Sequence, residues 1–126
     1  MRHDLISDAL SIINNAEAVG KEICVVPASK FVEEVLKVIK NAGYIIDYSY
    51  NDKENKFQIN LGGRINKIKA VRPRFSVHKN EYDKWEVRYL PARNMGVLII
   101  STSGGIMNQK EAAEKGVGGK LVAYIY

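Results

Sequence analysis

The chain has 126 residues, 46% of them apolar, which suits one large folded domain or two small ones. No run of about 18 uncharged apolar residues occurs, so no membrane span is expected. The N-terminus, with Asp4 and Asp8 in a helical pattern, does not read as a signal peptide. The net charge is +5 and unevenly placed: residues 1–63 hold seven Lys/Arg against nine Asp/Glu (−2), and residues 64–126 hold twelve against five (+7). Either the second half faces a polyanion, or this is an ordinary basic surface kept soluble by charge.

In chain order, residues 4–17 form an amphipathic helical pattern with Asp4 as N-cap and Leu5, Ile6, Ala9, Leu10, Ile12, Ile13 and Ala16 near the 3.6-residue period. Residues 22–26 form a short apolar strand stopped by Pro27. Its Cys24 is the single cysteine, which excludes an internal disulfide, fits a reducing compartment and is expected to be a small core residue. Ser29 caps a second helix whose Phe31, Val32, Val35, Leu36, Ile39 and Ala42 share one face, and Gly43 falls where a left-handed cap belongs. Residues 44–50 and 56–61 are two strands around the polar turn 51–55. The expected class is α/β of the α+β kind, in two small domains: 1–62, helix–strand–helix–strand–strand, and 63–126, mostly β with a short helix between its last strands.

The boundary is placed at Gly62-Gly63, where the charge changes sign. Residues 64–74 carry Arg64, Lys67, Lys69, Arg72 and Arg74 with no acid, while Ile65, Ile68 and Val71 between them allow one side to pack. Tyr82, Trp85 and Tyr89 are three and four apart in a short helix or turn, and this aromatic stripe suits docking on a core better than stacking on bases. Residues 90–93 read as loop and 97–100 as a strand that ends in Ser101-Thr102-Ser103-Gly104-Gly105. A short helix capped by Asn108 follows, then Gly116, Gly118 and Gly119, and a last strand from Leu121 to residue 126.

These two glycine clusters are either plain turns or loops that bring backbone amides close to a ligand. Several chemistries lack their motifs. His3 and His78 match no metal spacing, and no CxxC, HExxH or GxGxxG occurs. Lys120 is followed by Leu121 and a strand, not by the hydroxyl and helix of a phosphate loop. Ser101 and Ser103 have no evident His–Asp partners. The expectation is a binding protein, not an enzyme, with no metal or other cofactor. Hydroxyls and glycines beside a basic run suit structured RNA, and no DNA-binding motif is present.

The residues resemble a known family. Ser101-Thr102-Ser103-x-Gly105, a short helix, Gly116-x-Gly118-Gly119 and a terminal strand are similar to the C-terminal signature of the small-subunit ribosomal protein S8 family. Residues 4–10 with Asn15, residues 27–30 and residues 41–45 resemble family motifs of the first half. Residues 69–75, 84–86 and 90–93 resemble the archaeal and eukaryotic branch. The resemblance implies a two-domain α/β protein of the cytoplasmic small ribosomal subunit that binds the central domain of its rRNA directly and helps assemble the platform. It implies neighbouring ribosomal proteins as partners, with the chain's own messenger RNA as an alternative target for repression. Carried over by position, the RNA contacts fall to Ser101, Thr102, Ser103 and Gly105, supported by Gly118, Gly119 and Lys120. The basic run adds Arg72 and Arg74, and the first half adds Asp4, Asn15, Ser29 and Lys30. Two positions depart from the bacterial pattern: Gly104, often Lys there, and Lys120, often Glu.

Overall fold

The computed structural model describes residues 5–71, 74–92 and 95–126. Asp4 and Arg72 therefore lie outside the described residues. The chain divides into two compact units, 1–69 and 70–126, and has the mixed α+β architecture expected from its patterning.

In the first unit, α1 (Leu5–Ala18) buries Ile6, Ala9, Leu10, Ile13 and Ala16. Leu5 and Ile12, expected on the same face, stand at the edge of that arc and remain 42% and 37% exposed. Strand β1 (Ile23–Pro27) alternates exposed and buried, with Cys24 and Val26 turned inward. Helix α2 (Lys30–Asn41) starts at Ser29, whose side chain accepts a hydrogen bond from Val32 N at 3.1 Å. It ends before Gly43, which takes a positive φ of 86°. Strands β2 (Ile45–Asn51) and β3 (Lys56–Leu61) complete an antiparallel sheet in the order β1-β3-β2. Helix α1 packs on β1 and α2, and α2 on β2. The core side chains Ile13, Leu36, Ile39 and Ile59 are fully buried, each worth about 1.5–3 kcal/mol over exposure.

Residues 63–68, from the second glycine of the Gly62-Gly63 pair onward, are tied into this first unit. Gly63 N donates to Glu17 Oε1 at 3.2 Å, Arg64 Nη1 to the Gly43 carbonyl at 3.4 Å, and Ile68 N to Asn14 Oδ1 at 3.1 Å. Within this basic stretch Ile65, Ile68 and Val71 are buried, while Arg64, Lys67 and Lys69 are exposed.

The second unit is built on an antiparallel sheet in the order β4-β8-β6-β7, with β5 also on β8. Its strands are β4 (Ile68–Ala70), where the chain passes between the units, β5 (Ser76–Val77), β6 (Val97–Thr102), β7 (Gly105–Asn108) and β8 (Gly119–Ile125). Helix α3 (Tyr82–Tyr89) covers one sheet face. Tyr82, Trp85 and Leu90 join Val71, Val77, Leu98, Ile100, Met107, Leu121 and Tyr124 in one core. Tyr82 Oη donates to the Val117 carbonyl at 2.6 Å. Phe75 and Trp85 stack at 5.0 Å, and Tyr89 and Tyr124 at 5.2 Å, so the aromatic stripe packs on the core as expected.

The helix α4 (Gln109–Lys115) is capped by Asn108, whose Oδ1 accepts from Glu111 N at 2.7 Å, and closed by Gly116. Gln109 is a buried polar residue, and its Oε1 accepts the Leu98 N–H at 2.9 Å. Strand β7 pairs with β6 only from Ile99 onward, so this amide replaces the ladder partner that Leu98 would otherwise lack.

The glycine turn expected after residue 100 is a tight hairpin between β6 and β7, with Thr102 paired to Gly105, and the strand β7 stands where the sequence pattern runs straight from the turn into the helix. The four residues of β7 are too few to show an alternation, and the Gly104-Gly105 pair masked the second strand.

Candidate RNA interface

Alternation along β6 divides the three hydroxyls. Ser101 and Thr102 are successive strand residues, so their side chains leave the sheet on opposite faces. Thr102 lies on the core side, with its Oγ1 4.0 Å from Met107 Sδ. That hydroxyl donates to the Gly105 carbonyl at 2.8 Å and accepts from Gly104 N at 3.1 Å. Its single proton is committed to shaping the turn. Gly105 follows the two turn residues with a φ of 109°, the conformation glycine supplies where a tight hairpin rejoins its second strand. Ser103 is exposed at the tip, and its hydroxyl makes no hydrogen bond to another described residue.

On the opposite face, Ser101 sits directly across from Lys120 of β8, and Lys120 directly across from Ser76 of β5. Directly opposed side chains in such ladders have Cβ atoms about 4.5–5.5 Å apart. The result is a row of Ser76, Lys120 and Ser101, with Ser76 and Lys120 exposed and Ser101 half-buried. Arg74 and Lys79, both exposed, flank β5 at its two ends. The motifs at 101–105 and 118–120, thirteen or more positions apart in the chain, thus meet on one sheet face. Ser76 was missed in the sequence because a two-residue strand carries no period; only its distance from the basic run could have drawn notice.

Gly118 and Gly119 are explained by the protein's own packing. A Cβ at Gly118 would lie 2.5 Å from the Val77 carbonyl and 3.3 Å from Lys79 N. A Cβ at Gly119 would collide with the Ser101 carbonyl. The two glycines bring β5, β6 and β8 together closely enough to set the row in place.

In the first unit, Asn15 is exposed on α1, and Lys30 is exposed at the start of α2. Ser29 is occupied as the N-cap. Ser29 and Lys30 border a hollow of about 310 Å³ lined also by Glu33, Tyr50, Asn55 and Phe57. Tyr50 is 54% exposed there, and its hydroxyl donates to Asn55 Oδ1 at 2.8 Å. Cys24 is buried, and that burial, reinforced by Glu17 and partly opposed by Lys21, pushes its thiol up to about 11. It is inert core, as expected.

The chain is thus a mixed α+β protein with a hydroxyl–lysine row at one end of a sheet face, where Ser76 and Lys120 reach solvent. The family model described as ribosomal protein S8 matches residues 4–126. The small ribosomal subunit protein uS8 of Methanococcoides burtonii is 48% identical over 126 residues, covering 98% of this chain and 97% of that protein. The chain belongs to the ribosomal protein S8 family.

Proposed function

We propose that this chain is a structural protein of the small ribosomal subunit in the cytoplasm, that it binds the central domain of the small-subunit rRNA directly, and that it helps assemble the platform. The observation that carries the reading is the row in which Lys120 stands between Ser76 and Ser101 beside the exposed Ser103 tip. Hydroxyls that donate and accept can read 2′-hydroxyls and base edges, and cations at Arg74, Lys79 and Lys120 can meet phosphates. Asn15, Lys30 and the Tyr50 hollow offer a further set of contacts on the first unit, where a ring can stack and an ammonium can neutralise. These contacts are hydrogen bonds and charge; the reading calls for no turnover. The family membership and the small-subunit name of the Methanococcoides burtonii relative support it.

The test is filter binding of the full chain to a central-domain rRNA fragment and to an unrelated hairpin of equal length. Specific complexes are tighter than non-specific ones by about three orders of magnitude or more. A preference of that order supports the proposal, and equal affinity for the two RNAs across salt concentrations would sink it.

A further inference from the structure

The geometry points to a protein-docking site on the outer face of α3, built for a lysine- or arginine-rich segment that carries aliphatic side chains. The second unit, residues 70–126, holds nine Lys/Arg and five Asp/Glu, yet two of those acids, Asp83 and Glu86, sit together on this one helical face. Their spacing of three places them on the same side of the helix, with Val87 one turn on from Asp83 and the buried Leu90 at the helix's C-terminal cap beneath them. Together with Pro91 and Ala92 they line an open hollow of about 340 Å³.

Two features show a surface without its counterpart. Val87 is 84% exposed, an isopropyl group left almost bare in the middle of the face. Neither the Asp83 nor the Glu86 carboxylate carries an ion pair or hydrogen bond among the described residues. The nearby cations of the same helix are engaged elsewhere: Arg88 lies 4.9 Å from the Phe75 ring centroid, and Lys84 5.4 Å from that of Trp85. Among the described residues no cation answers these two carboxylates, and an occupant that brings positive charge and an apolar group to cover Val87 completes the face. RNA brings the wrong charge to two unpaired carboxylates, whereas a basic–aliphatic peptide meets both demands. The site faces away from the hydroxyl–lysine row, because α3 covers the Ile100 and Leu121 side of the sheet while Ser101 and Lys120 project from the other. The inference accordingly stands apart from the RNA-binding reading.

The probe is the synthetic peptide acetyl-KLRKLK-amide, titrated into the full chain carrying labelled Val and Leu methyl groups and followed by NMR. The expected result is saturable shifts at Val87 and Leu90, with affinity falling about three- to tenfold in D83N/E86Q and further in D83K/E86K. The neutral isosteres guard against loss of α3 in the charge-reversed variant, and unchanged methyl spectra of Leu98 and Leu121 report the fold. Three results would overturn the proposal. One is an affinity indifferent to both double variants. Another is shifts confined to other methyls. The last is equal shifts at Val87 with acetyl-ELEELE-amide or with an RNA duplex, which would make the face nonspecific or nucleic-acid binding. The preference of the same variants for the central-domain fragment over the unrelated hairpin should be unchanged, so failure of one reading leaves the other independently testable.

Discussion

At the scale of single residues, neighbouring hydroxyls of one motif have different duties. Thr102 spends its proton on the Gly105 carbonyl and its lone pair on Gly104 N, so it holds the hairpin. Ser103, one residue on, is exposed and uncommitted. Thr102→Ala should lower unfolding stability by about 1 kcal/mol, the usual net worth of a hydrogen bond, whereas Ser103→Ala should leave stability unchanged and weaken only the specific RNA complex. Thermal unfolding and filter binding on the two variants check this split, and equal stability losses would contradict it. Cys24 gives a pH signature. Its thiol is raised from 9.0 in the open chain to about 11 in the fold, so the neutral form is favoured in the native state. Its contribution is complete below pH 9 and is lost as pH rises through that window to about 11. Denaturant midpoints of wild type and Cys24→Ala should converge over that interval; a constant difference would show that the thiol does not titrate with folding.

Elements were legible from sequence in proportion to how many residues they gave a period. Helices α1 and α2, with five buried positions each, stand where the apolar spacing placed them. Ser29, Gly43, Asn108 and Gly116 mark ends that the cap chemistry announced. Strands β4, β5 and β7, at three, two and four residues, offered no alternation and were missed. With β5 and β7 hidden, the partners of Ser101 and Lys120 could not be seen, and Ser76 had no reason to be singled out. Gln109 was missed for a related cause: nothing in sequence shows that β7 stops short of Leu98 and leaves an N–H for a side chain to accept. Gly119 is the clearest consequence of strand packing. Gly119→Ala would drive a methyl group into the Ser101 carbonyl and force β6 from β8, at a cost of about 1–3 kcal/mol or more. Chemical denaturation should show that loss, and a variant as stable as wild type would mean that the two strands can separate freely.

For the whole molecule, sequence showed the charge imbalance and the class of fold, but not which cations share a surface. The basic run was visible as a block, yet its members divide between the two compact units, with Arg64, Lys67 and Lys69 in the first and Arg74 in the second. Lys120, fifty residues or so later, stands in register with Ser76, two residues after Arg74. Under the proposed function, exposed cations outside the run join those within it, because affinity for an RNA backbone depends on phosphates met together. The most direct measurement is the salt dependence of binding to the central-domain rRNA fragment, compared between wild type and Lys120→Ala. If Lys120 meets a phosphate from its place between Ser76 and Ser101, the log–log salt slope should become shallower by about 0.7–0.9, with weaker binding at low salt. An unchanged slope and affinity would contradict an RNA interface at this row.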